Sequence, residues 1–320
     1  MTYQQSVMKE AKFNLSPNRS MLYVVATPIG NLGDLSPRAR EVLGRVDAIC
    51  AEDTRVFRHL CKAAGLSTTR RLISLHTHNE MQRVYEVVGL LQENLSVALV
   101  SDAGTPGLSD PGQRLVAEVT EQGFDCVTVA GPSALTAALS IGGLRPEETE
   151  PILFWGFLPS KKKQRQDQLK RMAALPGLSV FFESPRRVLN SLEDACLAFD
   201  EKSQVAIARE LTKRFETCLR GTLANILARL QDLQQRPDSQ ALKGEFVVLI
   251  KNVLSHSRQG AETITDSPEA SLQPHDLVWL KSLCKHCPKP LAAKLAAQAL
   301  GLSRDQAYTL VIKAQSEPQE

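Results

Sequence analysis

Short apolar runs alternate with amphipathic stretches from residue 21 onward. Residues 22–26, 46–51, 72–75, 97–100 and 126–130 each predict a strand buried on both sides. The stretches between them carry helix signals. Ser36-Pro37 offers an N-cap and a proline at the first helical position. Residues 80–91 repeat apolar positions at helical spacing, Asp110-Pro111 reads as a second cap-plus-proline start, and a helix follows Gly131-Pro132-Ser133. Strands interleaved with helices predict an α/β fold with a mostly parallel sheet covered on both faces. A second series of apolar runs at 152–157, 178–182, 205–208 and 246–250 predicts a second α/β domain with its own sheet.

These patterns divide the chain into a loose tail (1–20), a first α/β domain (21–150) and a second (151–252). A polar linker (253–274) and a small helical module (275–320) follow. In the module, LAAKLAAQALGLSRDQAYTLVIK predicts a helix, a turn at Gly301, an N-cap at Ser303 and a second helix, which is helix-turn-helix-like.

Composition narrows the classes. The 320 residues are 43% hydrophobic, enough for real cores, yet no run of 18 or more apolar residues predicts a membrane span. The N-terminus lacks the apolar stretch of a secretory signal. Seven cysteines without such a signal predict free thiols in a reducing, cytoplasmic setting. A net charge of +3 decides little by itself.

Candidate chemistry concentrates at the strand ends, where ligands sit in sheets of this kind. Those ends are Pro28-Ile29-Gly30, Glu52-Asp53, His76, Asp102-Ala103-Gly104 and Gly131-Pro132-Ser133. The loop SDAGTPGLSDPG (101–112) holds three glycines, more than a plain turn needs. Neither a G-x-G-x-x-G fingerprint nor a phosphate-binding G-x-x-x-x-G-K-[ST] loop occurs. Asp34, Glu52, Asp53, Asp102 and Asp110 give this edge the wrong sign for phosphate. An acidic, glycine-bearing edge suits a ligand with hydroxyls and positive charge, and S-adenosylmethionine has an ammonium, a sulfonium and a ribose. The second domain is basic instead: residues 155–220 hold 13 Lys+Arg against 8 Asp+Glu, including the run Ser160-Lys161-Lys162-Lys163-Gln164-Arg165. A cationic cofactor beside an anionic polymer would use both rims. His76-Thr77-His78 and Cys284-Lys285-His286-Cys287 lack companion ligands at metal spacing, so no metal is expected. Ser133 is not in a nucleophile elbow.

The motifs VATPIGNLGDLSPRA, AEDTR, LHTHNE, SDAGTPGLSDPG, AGPSA, GFLPSKKKQR, FFESPRR, ARELTKRFE and KGEFVVLI occur in that order between residues 21 and 250. Together they resemble the bacterial 16S rRNA cytidine-2′-O-methyltransferases, a branch of the tetrapyrrole-methylase-like (class III) methyltransferases. Residues 291–313 are similar to that family's small C-terminal helical module. The resemblance implies a two-domain methylase fold, S-adenosylmethionine as methyl donor, no metal, and a cytoplasmic homodimer. The implied substrate is 16S rRNA in the assembled small ribosomal subunit.

Carried over residue by residue, the resemblance assigns Pro28, Ile29, Gly30, Asp102, Ala103, Gly104, Thr105, Ser133 and Ala134 to the methionine and ribose parts of the cofactor. It assigns Glu183, Arg209, Gly244 and Glu245 to its adenine side. Methyl transfer to a ribose hydroxyl needs alignment and removal of a proton. Glu52, Asp53 and Glu183 are alternatives for base or orienter, and Arg55, Arg186, Arg187 and Lys213 are alternatives for binding phosphate or lowering the hydroxyl's pKa. Lys161, Lys162, Lys163, Arg165, Arg186, Arg187 and Arg214 are the expected RNA contacts. Two rival readings stand beside this one: a methylase of the same scaffold acting on a tetrapyrrole or other small acceptor, and a non-catalytic RNA-binding assembly factor.

Overall fold

All five apolar runs between residues 21 and 130 enter one parallel sheet, in the order β3-β2-β4-β1-β5. Its strands are β1 (Met21–Val25), β2 (Ala48–Ala51), β3 (Arg71–Ser74), β4 (Val97–Val100) and β5 (Asp125–Val129). The protein was analysed as a computed structural model, which describes residues 20–67, 69–76, 79–147, 149–200, 202–235, 242–252, 274–300 and 304–316. The expected tail (all but residue 20), the expected linker as far as residue 273, and the turn at Gly301 with the cap at Ser303 thus lie outside the described residues.

Alternation along the interior strand β1 shows how the sheet is covered. Leu22 packs on one face with α3 (Glu80–Gln92) and α4 (Gln113–Glu121). Tyr23 and Val25 pack on the other with α1 (Pro37–Arg45) and α2 (Thr54–Ala64). The Ser36 hydroxyl accepts from the Ala39 N–H at 3.0 Å and Pro37 opens α1, as expected. The second expected helix start is corrected. The helix begins at Gln113 with Gly112 as its N-cap residue, so Asp110 and Pro111 remain in the loop.

The second sheet has the order β6-β7-β10-β8-β9, from β6 (Ile152–Phe157), β7 (Gly177–Glu183), β8 (Gln204–Arg209), β9 (Thr217–Thr222) and β10 (Phe246–Asn252). Only β6 and β7 run parallel; β7, β10, β8 and β9 pair antiparallel. The edge strand β9 carries no apolar run and escaped the pattern. One face packs on α6 (Lys162–Ala173), α7 (Val188–Cys196) and α8 (Leu223–Gln235) around fully buried Phe181. The other face receives α5 (Ala134–Gly142), which follows the first sheet in sequence but packs Ala138 against Leu178, Val180 and Leu249 of the second. The boundary expected near residue 150 is therefore bridged by packing, and the two α/β halves form one compact unit, Met1–Leu254.

Ser255–Glu320 forms a second unit. Its helices are α9 (Pro274–His286), α10 (Lys289–Leu300) and α11 (Arg304–Ser316). Leu280, Ala292, Ala296, Ala307, Leu310 and Val311 make its core. The sequence pattern anticipated α10 and α11 but not α9. Among the described residues no helix is long and apolar enough to cross a membrane.

Candidate active site

Three loops leave the carboxyl ends of the adjacent strands β4, β1 and β5, and backbone bonds tie them together. Thr27, 1% exposed, exchanges backbone bonds with Gly104 at 2.9 and 3.0 Å and donates its hydroxyl to the Ser101 carbonyl at 3.1 Å. The Thr105 hydroxyl donates to the Pro132 carbonyl at 3.0 Å. Gly104 has φ +86°, and a Cβ there would lie 3.2 Å from Ile29 and 3.6 Å from the Pro132 carbonyl oxygen. Glycine at 104 thus suits a backbone conformation that other residues rarely adopt, and a Cβ there would also crowd Ile29.

These loops form one wall of a cavity of about 350 Å³, within the roughly 300–1,000 Å³ typical of small-molecule clefts. That wall presents Ile29, Ala103, Gly104, Thr105, Asp110, Ser133 and Ala134. The opposite wall comes from the strand ends of the second sheet: Phe157, Phe182, Glu183, Glu245 and Phe246. Phe182 meets Phe154 and Phe157 edge-on, with centroids 4.9 and 5.6 Å apart. A register shift between Phe154 and Phe157, with Gly156 at φ +65°, places that strand against the glycine-rich loop; a Cβ on Gly156 would lie 3.0 Å from the Ser109 hydroxyl oxygen.

Of the expected cofactor residues, Ile29, Ala103, Gly104, Thr105, Ser133, Ala134, Glu183 and Glu245 line this cavity. The others stand behind or beside it. Gly30 lies under Lys213, which a Cβ would overlap, and Gly244 lies under Glu210 with φ +95°. Asp102 is exposed and accepts from the Asp53 N–H at 2.9 Å. Arg209 donates to the Lys243 carbonyl at 2.6 Å and the Phe215 carbonyl at 3.3 Å, so it braces the loops around it. Pro28 is half-buried beside Ile29.

The expected catalytic groups separate on geometry. Glu183, 2% exposed, accepts from the Ser184 N–H at 2.7 Å and the Ser191 hydroxyl at 2.6 Å, and pairs with Arg187 at 2.7 Å. Both its oxygens are taken, which makes it an anchor rather than a base. Asp53 pairs with Arg55 at 2.6 Å. The Arg55 side chain and then its N–H hold the Asp53 carboxyl down to about 2. Such a carboxylate is a weak proton acceptor, while the Arg55 side chain, though paired with it, stays 85% exposed and open to a phosphate. Burial, opposed by the Asp102 N–H and helped by the charges of Asp102 and Asp53, raises the Glu52 carboxyl. Neither Glu52 nor Asp53 lines the cavity. Lys213 lies 2.9 Å from Glu210 and 3.0 Å from Glu245. Burial works against its charge, but those two carboxylates outweigh it and raise its pKa.

The expected RNA contacts also split. Lys161, Lys162, Lys163, Arg186 and Arg214 are exposed, and the Arg214 guanidinium stands 5.5 Å from the exposed Phe215 ring. Arg165 is corrected: at 6% exposed it is buried in a 2.6 Å ion pair with Asp194. Arg187 is corrected likewise, because it is spent on Glu183 and on the Leu158 carbonyl at 3.0 Å.

Asp110, read as a helix cap and as part of the acidic edge but not as a cofactor or catalytic residue, lines the cavity. Burial above all, and then the charge of Glu52, push its carboxyl up to about 6; the Ser101 hydroxyl works the other way and Asp102 adds a further push upward. The aromatics Phe157, Phe182 and Phe246 were also missed, because they read as ordinary strand residues. The seven cysteines are free. Thr77 and His78 lie outside the described residues, and among the described residues no cluster of His, Cys, Asp or Glu could hold a metal ion.

The lining suits S-adenosylmethionine. Its three aromatic rings fit a flat purine, and the Gly104 cradle leaves backbone open to close approach.

Comparison with known proteins agrees with this architecture. The family model for tetrapyrrole (corrin/porphyrin) methylases matches residues 21–227. Among solved structures, the methyltransferase CobJ superposes with a TM-score of 0.53 at 16% identity, over 73% of this chain and 95% of that one. The cobalamin biosynthetic enzyme cobalt precorrin-4 methyltransferase CbiF gives 0.51 at 15% identity, over 72% and 94%. At such identities these two establish the fold alone. The sequence is 41% identical to the ribosomal RNA small subunit methyltransferase I of Xylella fastidiosa (strain Temecula1), over 90% of this chain and 97% of that one. It is 39% identical to the protein of the same name from Escherichia coli O157:H7, over 93% and 96%. The chain therefore belongs to the tetrapyrrole methylase family, and within it to the ribosomal RNA small subunit methyltransferase I group.

Proposed function

We propose that this protein transfers a methyl group from S-adenosylmethionine to the ribose 2′-hydroxyl of a cytidine in the decoding region of 16S rRNA. It acts as a cytoplasmic homodimer on the assembled small subunit. The observation that carries the reading is the cavity itself: a glycine-lined wall with acidic neighbours faces aromatic strand ends, in a half of the chain that also presents exposed cations. Bound there, S-adenosylmethionine supplies a methyl group already activated by its sulfonium.

The chain's own task is to align, to exclude water and to take a proton. Backbone around Gly104 and Ser133-Ala134 approaches the amino-acid and ribose parts. Phe157, Phe182 and Phe246 hold the adenine, and Glu183 fixes their strand end through Arg187 and Ser191. Lys161, Lys162, Lys163, Arg186 and Arg214 attract the RNA backbone; Arg186 directly follows the cavity-lining Pro185.

The test is transfer of labelled methyl to small subunits, naked 16S rRNA and a porphyrinoid in parallel, followed by nucleoside analysis. Label recovered as 2′-O-methylcytidine from the subunits is expected. Label in the porphyrinoid alone would overturn the RNA assignment.

A further inference from the structure

Asp110 has a position that the assignments above leave without a role. We propose that the Asp110 carboxylate accepts the proton of the acceptor hydroxyl during methyl transfer, and so acts as the catalytic base. This rests on the reading of function just given.

The geometry singles it out among the carboxylates of the site. Asp110 lines the cavity on the wall built by the glycine-rich loop. Ser109 before it is held at φ +72°, a strained conformation for a residue other than glycine, where its hydroxyl faces Gly156 of the second half. The helix starts only at Gln113, so Asp110 is not used up as a cap. The groups facing it are Glu52 and Asp102 on its own side, with the Ser101 hydroxyl, and Glu183 and Glu245 across the cavity. Glu183 is fully engaged by Arg187, Ser184 and Ser191. Glu245 is bound to Lys213 and its side chain is 75% exposed. Asp53 is held by Arg55. Among the described residues, Asp110 is the cavity-lining carboxylate that no cation pairs with. The same setting keeps its carboxyl at about 6, close to neutrality, where a group is both ionised in use and basic enough to accept a proton.

The step balances. A bond forms between the hydroxyl oxygen and the methyl carbon. The carbon–sulfur bond breaks, and its electron pair stays on sulfur. The hydroxyl proton passes to an Asp110 carboxylate oxygen. One positive and one negative charge are present before the step, and a neutral thioether and a neutral carboxylic acid after it. A half-buried cavity favours that loss of charge.

The experiment compares wild type, Asp110→Asn and Glu52→Gln. It measures single-turnover transfer to small subunits from about pH 5 to about pH 9, calorimetric affinity for S-adenosylmethionine, and a carboxyl-carbon NMR titration of the protein without cofactor. The proposal expects the wild-type rate to rise with pH along a limb at about 6, matched by an Asp110 carboxyl resonance titrating there. Asp110→Asn loses the limb and about 100-fold or more in rate, while cofactor affinity stays within about threefold. Glu52→Gln moves the limb to lower pH. An Asp110→Asn rate within about threefold of wild type overturns the proposal, as does a loss of cofactor affinity that equals the loss of rate. Label in RNA from wild type matched by Asp110→Asn overturns this proposal alone. No label in RNA from wild type overturns the reading of function and this proposal with it.

Discussion

Lys161, Lys162, Lys163 and Arg165 form one basic cluster in the sequence, and helical phase divides them. Arg165, Leu169 and Met172 make the buried face of α6, while the lysines stay in solvent. The spacing of Leu169 and Met172 already pointed Arg165 inward; composition alone hid it. Arg165→Ala leaves Asp194, 4% exposed, as an uncompensated charge. It should therefore lower unfolding stability by about 3 kcal/mol in denaturant titration. Replacing Lys161, Lys162 and Lys163 with glutamate should leave stability within about 0.5 kcal/mol but weaken subunit binding and flatten its salt dependence. Asp110 has an opposite signature. Its folded-state pKa of about 6 lies above the ordinary aspartate value of 3.8. The native state therefore costs nothing extra below the lower value, loses stability as pH rises between the two, and bears the full cost above the upper one. Asp110→Asn should stabilise the protein at pH near 7.5 by about 1 kcal/mol, after allowance for solvent screening of a half-exposed group, with the gain vanishing below about pH 4. Melting curves at both pH values check this.

At the scale of elements, the first sheet was legible because its strands are buried on both faces and read as unbroken apolar runs. Strand β9, with the sequence TCLRGT and half its residues polar, sits at an edge, where one face and one side escape burial. No apolar signal is needed there. The loop from 101 to 112 stood out in the sequence through its glycines, and it lines the cavity, but its exit was not legible. A cap residue followed by proline describes a helix start equally well when the helix begins three residues later at Gln113. Sequence spacing likewise gave no sign that Glu183 would be saturated, since Arg187 and Ser191 meet it only because α7 follows β7 closely. The loop's central requirement is testable at Gly104. Gly104→Val combines a disfavoured φ of +86° with a Cβ at 3.2 Å from Ile29. It should weaken S-adenosylmethionine binding at least tenfold, about 1.4 kcal/mol, in calorimetry, with far-UV circular dichroism unchanged.

The whole molecule couples a methylase body to a separate helical unit. The body holds both sheets and the cavity; the unit Ser255–Glu320 has its own apolar core. A chain lacking residues 275–320 should keep S-adenosylmethionine affinity within about threefold and lose at least about tenfold in subunit affinity, measured by calorimetry and by filter binding. Equal subunit affinity for the two chains would remove the helical unit from substrate capture. The central claim is that the methyl donor occupies the cavity between the two sheets. A crystal structure of the full chain with S-adenosylhomocysteine tests it most directly. The account predicts the adenine between Phe157, Phe182 and Phe246, with the amino-acid part against Gly104 and Ser133 and the sulfur facing Asp110. Ligand density in the groove beside α4, lined by Leu99, Gln113 and Val116, would contradict it.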